Sequence, residues 1–238
     1  MMKAVTAAAL CLAALLTTAT VRAEPKLAAT IERSPYGYVE NGRPAGLLFE
    51  LGEAIFREAG FEPVNVLMPM ETAVKTMTTG DVHMLLSNQS SELDTVGLDL
   101  GEVVSLEFSA LVRAGSGVSS LRTLRTRRVA LVRDSLFDDA IRGLPRMATV
   151  PVNEYDDAVR LLAAGEVDAA MGGLAGLTTA AKKLPRRLFD PPLPLGFASI
   201  RLYGSPSFPA DRATRLQQAI KTLRRQGALS DIVTKYSL

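Results

Sequence analysis

The apolar positions change period from segment to segment, and the changes mark alternating strands and helices. Residues 26–31 read as a strand. Leu47, Leu48, Leu51, Ile55 and Ala59 fall on one stripe, which predicts a helix over 47–59 stopped by Gly60. Residues 63–67 read as a second strand. Two segments then end a helix and start a strand in the same way: MPMETAVKTMTTGDVHMLLS (68–87) and NEYDDAVRLLAAGEVDAAMG (153–172). Each has about three helical turns, then Gly80 or Gly165, then a short apolar strand, 82–86 or 167–171. Glycine suits the residue after a helix because it enters the left-handed region without steric penalty. Runs that are apolar on both faces suit parallel strands covered on both sides. The copies lie 85 residues apart, which predicts two related α/β lobes with a cleft between them.

The remaining elements continue the alternation. A polar stretch covers 87–99, and strands are expected at 106–112 and at Arg128–Val132. A helix over 135–142 has Asp134 or Ser135 as its N-cap, and Asn153 is expected to cap the next helix with Asp156 in its first turn. A helix over 174–183, an extended return over 193–203, a long helix over 209–226 and a short one over 229–236 complete the chain. Strands alternating with helices predict mostly parallel sheets flanked by helices.

The N-terminus has the layout of a secretory leader. Lys3 precedes an Ala/Leu/Thr run over 4–19, and Val21-Arg22-Ala23 supplies small residues where signal peptidase needs them. Cleavage is expected after Ala23, which makes the protein periplasmic. Cys11 lies inside the apolar run, and Ala9-Leu10 before it fits a lipobox poorly. The mature chain would then hold no cysteine and must rely on core size rather than disulfides. The whole chain carries 27 basic and 25 acidic residues. Losing Lys3 and Arg22 leaves a neutral protein, so no global charge favours nucleic acid. Residues 112–190 hold 13 basic and 9 acidic groups. Solvated faces account for this imbalance, with an anionic ligand or a docking partner as the alternative.

Several short motifs, taken in order, resemble the bacterial extracellular solute-binding family 3, the polar amino-acid type of periplasmic solute-binding protein. They are the aromatic loop from Ser34-Pro35-Tyr36-Gly37-Tyr38 to Gly42, Gly46-Leu47-Leu48-Phe49-Glu50-Leu51, and Gly80-Asp81-Val82-His83. Asp134-Ser135 after the 128–132 strand, Leu161 to Ala169, and Leu223 to Leu229 continue the pattern. The resemblance spans essentially the whole mature chain and implies an α/β, two-lobe type II periplasmic-binding clamshell. Lobe one is 24–108 plus 197–238, lobe two is 112–193, and the crossing strands 106–112 and 193–203 form the hinge. Ligand is then expected at strand C-terminal ends and helix N-termini facing the cleft, trapped by hinge closure.

At the gripping positions the chain departs from the family. Members hold an α-carboxylate with an Arg eight residues into the Ser/Gly-rich strand end; here that place falls at Asp94-Thr95, and 58–112 contain no Arg. Members hold the α-ammonium with an Asp after the Gly-x-x-Asp pattern; here Asp168 is followed by Ala169, Ala170, Met171, Gly172 and Gly173. A guanidinium fork facing a carboxylate is the physical means of gripping a zwitterion, so standard α-amino acids are expected to bind poorly.

The expected lining is polar and aromatic. Tyr36 and Tyr38 lie in the loop that covers ligand in the family and can stack on it, with surface packing as the alternative for Tyr38. Met70 offers a soft apolar contact, or serves the core. Ser87, Asn88, Gln89 and Ser90 supply neutral donors and acceptors. Asp134 and Ser135 open a helix whose amides could meet an anion, and Gly172 leaves space. Glu50 is assigned a structural role.

The sequence offers little to an enzyme. His83 stands alone, no nucleophile elbow is present, and one histidine without a mature cysteine excludes ordinary structural zinc. No catalytic residue, metal or cofactor is expected. A cleft dehydratase or lyase recruiting Glu50, Glu92 and Asp94 is the enzymatic alternative. The primary expectation is a monomeric receptor that passes a small molecule to an inner-membrane ABC permease. The second is a signalling or accessory protein that touches a sensor or enzyme partner.

Overall fold

The computed structural model describes residues 27–133 and 147–237. The expected leader, the expected 135–142 helix, and Asp134 and Ser135 lie outside the described residues.

The first half of the chain builds three parallel strands. β1 (Leu27–Ile31) lies between β4 (Val64–Met68) and β5 (Met84–Asn88). A small hairpin, β2 (Tyr38–Glu40) with β3 (Arg43–Ala45), precedes α1 (Leu47–Glu58), which buries Leu47, Leu48, Leu51, Ile55 and Phe56 as its stripe requires. α2 (Met70–Thr79) leads into β5, and α3 (Ser91–Val96) follows it. After α4 (Leu121–Leu124) the plan repeats: β7 (Arg128–Val132) lies between β8 (Ala148–Val152) and β9 (Ala169–Gly173), again all parallel. α5 (Tyr155–Ala164) leads into β9, and α6 (Leu174–Ala181) leaves it.

Two long antiparallel strands join these sets, β6 (Leu98–Val112) and β10 (Leu193–Gly204). The sheet order is β4-β1-β5-β10-β6-β9-β7-β8. In each set the first strand is central, the second is outermost and the third meets the long pair, so one topology occurs twice. α7 (Ala210–Gln226) and α8 (Ala228–Ser237) pack on α1 and the face of β6.

The repeat seen in the sequence is a geometric one. α2 and α5 start 85 residues apart, at Met70 and Tyr155; β5 and β9 start at Met84 and Ala169, the same offset. Gly80 and Gly165 both end their helices in the left-handed region, at φ 85° and 79°. Each strand begins two residues later than its apolar run, because Val82 and Val167 are buried in the turns rather than in the ladder.

Other expectations need correction. The polar 87–99 stretch contains α3 and the start of β6, since Ser90 caps a helix there. β6 extends back to Leu98 because β10 pairs with it that far. The cap of α5 is Glu154, not Asn153, and it makes no side-chain cap bond. β8 and the β2–β3 hairpin are additional strands whose apolar residues do not alternate with burial, so they show no period-2 pattern.

Asp99 and Arg201 link the long strands at their outer end. Arg201 Nε donates to both carboxylate oxygens, at 3.0 and 3.1 Å, and Nη2 adds a third bond at 2.5 Å. Burial alone would raise the Asp99 pKa, but the Arg201 bonds and the Gly101 amide outweigh it and hold the carboxyl below its ordinary value. A depressed carboxyl contributes stability above its unfolded pKa, near 3.9, and loses it as pH falls through the folded value. Asp99→Asn should flatten the fall in urea-measured stability below about pH 4. The pair is partly exposed, so the effect should stay under about 1 kcal/mol.

Candidate functional site

The loop after β1 is pinned by its own backbone. Arg33 N donates to Gly37 O (2.7 Å), and Tyr36 N and Gly37 N both donate to Arg33 O. A side chain at Gly37 would meet Ile31 O at 2.4 Å, so only glycine allows this close return. The carbonyls of Pro35 and Tyr36 then accept the first amides of α1 (Leu47 N 2.9 Å, Leu48 N 2.8 Å), which satisfies donors a helix start leaves open.

This loop sends two side chains across to the second strand set. Tyr36 is 1% exposed, and its ring lies 6.2 Å from that of Tyr155, inclined at 52°. Burial, followed by its interactions with Tyr155, pushes the Tyr36 hydroxyl pKa well above the ordinary value, and a bond to the Gly176 backbone offsets part of this. Arg33 Nη1 donates to Asn153 O and lies 3.9 Å from Glu154 Oε1.

Tyr155 opens α5 and is 3% exposed. Its hydroxyl accepts from Gly173 N at 3.3 Å. Added Cβ atoms at Gly172 and Gly176 would stand 2.6 and 2.5 Å from its ring carbons. The space that Gly172 was expected to leave for a ligand is thus filled by the Tyr155 ring.

The end of β5 is polar and internally bonded. Ser87 and Asn88 are buried. Ser87 Oγ donates to Asn88 Oδ1 (3.1 Å) and lies 3.7 Å from Met70 Sδ. Asn88 Nδ2 donates to Gln89 O, Gln89 Nε2 to Asp94 Oδ2, and Gln89 N to Ser199 O. Ser90 caps α3, its Oγ accepting from Leu93 N at 3.2 Å. Ser90→Ala should therefore cost about 1 kcal/mol of stability, read by urea unfolding.

The other expected residues separate. Tyr38 sits on the hairpin, where burial, then Glu40 and Glu50, raise its pKa. Glu50 accepts from Lys235 Nζ and Tyr236 OH, each at 2.6 Å, and ties α1 to α8. Asp94 accepts from Tyr203 OH at 2.8 Å. Glu92 and Met70 line a surface groove of about 520 Å³ along α2. Of the three carboxylates named for a lyase, Glu50 lies on α1 and Glu92 and Asp94 on α3, and Glu50 and Asp94 are engaged in packing bonds. His83 Nδ1 accepts from Leu27 N, a backbone role. Among the described residues no group of three or more His, Cys, Asp or Glu could hold a metal, and no helix is long and apolar enough to cross a membrane.

Sequence reasoning did not single out Tyr155 or Glu107. Glu107 accepts from the fully buried Ser109 hydroxyl at 2.5 Å, and Ser109 pairs with Gly172 across β6 and β9. The repeat held a signal for Tyr155, because it stands where Met70 stands in the first copy.

Solved structures with this architecture include a histidine kinase sensor domain with similarity to periplasmic binding proteins. It matches with a TM-score of 0.73 at 23% identity, over 90% of this chain and 96% of that one. The fold is that of the type II periplasmic binding proteins. The arginine-, lysine-, histidine-binding protein ArtJ from Geobacillus stearothermophilus matches at 0.73 and 15% identity, over 90% and 95%. The GluR0 ligand-binding core in complex with L-glutamate matches at 0.76 and 14%, over 90% and 98%. No family model and no curated protein matches the sequence. These structural neighbours are binding proteins and sensor domains.

Proposed function

We propose that this chain is a periplasmic solute-binding receptor, monomeric and cleaved after Ala23, that captures a small molecule other than a standard α-amino acid for an ABC-type importer. The observation that carries the reading is the meeting of the two strand sets. The polar end of β5 and the glycine end of β9 occupy equivalent places in the repeat, and the Arg33–Tyr36 loop reaches from one set to the other. Open α/β sheets present ligand-binding groups at such strand ends. Lobe one would comprise 24–108 with 197–238, lobe two 112–193, and the long strand pair the hinge. Thermal-shift screening against a broad metabolite library tests the reading. A true ligand at a hundredfold excess over its dissociation constant should stabilise by about 2.7 kcal/mol. Silence across the library would count against a receptor.

A second reading, a signalling or accessory protein that keeps the fold to contact a sensor or enzyme partner, is favoured by one feature. Tyr36 and Tyr155 are both buried where the two strand sets meet, their rings 6.2 Å apart, so the sets already touch there. Small-angle scattering separates the readings. A transport receptor should compact on adding ligand; a radius unchanged by saturating ligand would contradict the clamshell cycle.

A further inference from the structure

We propose that Arg33 is the ligand-anchoring residue of the cleft and that the ligand is a small carboxylate lacking an α-amino group. The inference rests on the receptor reading and names its substrate class. A guanidinium binds a carboxylate side-on through Nε–H and one terminal N–H. This chain shows the filled form at Arg201, whose Nε and Nη2 grip Asp99. Arg33 shows the same edge unfilled. Its Nη1 is committed to Asn153 O and faces Glu154. Its Nε is buried without a hydrogen-bond partner, and the described residues place no acceptor on Nη2 either. The side chain is 16% exposed, and its backbone is fixed on both sides by the Gly37 bonds, so the fork is held rather than loose. A buried charged donor left open is costly unless an acceptor arrives. The nearest acid, Glu154, is 59% exposed at 3.9 Å and touches only the other edge of the guanidinium.

The missing amino group follows from the opposite wall. β9 ends in Ala169-Ala170-Met171-Gly172-Gly173 and offers no carboxylate, while the Tyr155 ring fills the space over Gly172. An ammonium at this wall would find no acidic side chain on β9, while Glu107 is engaged with Ser109 and Glu154 stands largely exposed beside Arg33. The Tyr36 and Tyr155 rings offer apolar contact for a short carbon chain instead.

The test is a thermal-shift and calorimetric panel of C2–C6 mono- and dicarboxylates, each paired with its primary amide, on the wild type, Arg33→Met, Arg33→Lys and the control Arg122→Met. At least one acid should stabilise the wild type and Arg122→Met, and bind at least tenfold more tightly than its amide. Arg33→Met should lose that response, and Arg33→Lys should weaken it at least tenfold because an ammonium lacks the fork. The acid-against-amide comparison is made on the wild type alone, so it holds even if a variant fails to fold. Equal response to acid and amide, an undiminished response in Arg33→Met, or equal loss in Arg122→Met overturns the assignment. Silence of the wild type to every acid also overturns it, but leaves the receptor reading to the broad library, where a neutral or cationic hit would sustain a receptor without Arg33.

Discussion

Gly176→Ala should destabilise the protein by about 1–3 kcal/mol, the usual range for overpacking a filled interior, although alanine is the better helix former. Gly176 lies inside α6, where the exchange alone would add roughly 0.5–1 kcal/mol. The sign reverses because the new methyl would stand 2.5 Å from Cε2 and Cζ of Tyr155 and 2.7 Å from Cδ2. The ring cannot retreat far, since its Cε1 edge lies so close to the Gly172 backbone that a Cβ there would stand 2.6 Å from it, and its hydroxyl is tied to Gly173 N. Tyr155→Ala removes the obstacle. In that background Gly176→Ala should become neutral or mildly stabilising, which gives a coupling energy of a sign and size that unrelated sites do not show. Urea unfolding of the four proteins measures it. Additive effects would mean that the ring is not confined between the two glycines.

The fold was legible because two physical signals agreed. Gly80 and Gly165 mark helix ends that need the left-handed region, and the apolar runs after them can be buried only as inner strands of a parallel set. Repetition of the pair at one offset disclosed the doubled topology before any strand partner was known. The hairpin, β8 and the early part of β6 were not legible, because their exposed positions carry apolar residues, Val39 and Leu98 among them, and blur the alternation. The site was harder for a different reason. Which side chains meet between the strand sets depends on register across β6 and β9 and on the turn at Arg33–Gly37, neither of which has a periodic signature. Ser90 and Gly172 were chosen for chemistry that suits a ligand equally well, yet one caps a helix and the other makes room for a ring. Tyr36 and Tyr38 are two residues apart and were expected together. The turn sends the first to Tyr155 and the hairpin sends the second toward Glu50.

Unmodified L-amino acids should bind weakly or not at all, and each should lose to its desamino analogue by at least tenfold. The ammonium end decides this. Charge-assisted hydrogen bonds contribute roughly 1.5–3 kcal/mol each, and tenfold in affinity corresponds to about 1.4 kcal/mol, so a missing carboxylate partner removes one to two decades. The wall that would supply that carboxylate is Ala169 to Gly173, fully buried and without any acidic side chain. No arginine occupies the place at Thr95, whose hydroxyl is engaged with Ser91 O. The carboxylate end therefore depends on Arg33, which approaches from the opposite loop and brings its own positive charge toward any ammonium. Glu107 precedes Phe108, the residue of β6 that pairs with Gly173, and it is already hydrogen-bonded to the buried Ser109. Calorimetric titration of the common L-amino acids beside the matching carboxylic acids measures the difference directly. Submicromolar binding of any unmodified L-amino acid would show that an acid, Glu107 or Glu154 first among them, turns to meet the ammonium, and the selectivity derived from the β9 wall would fall.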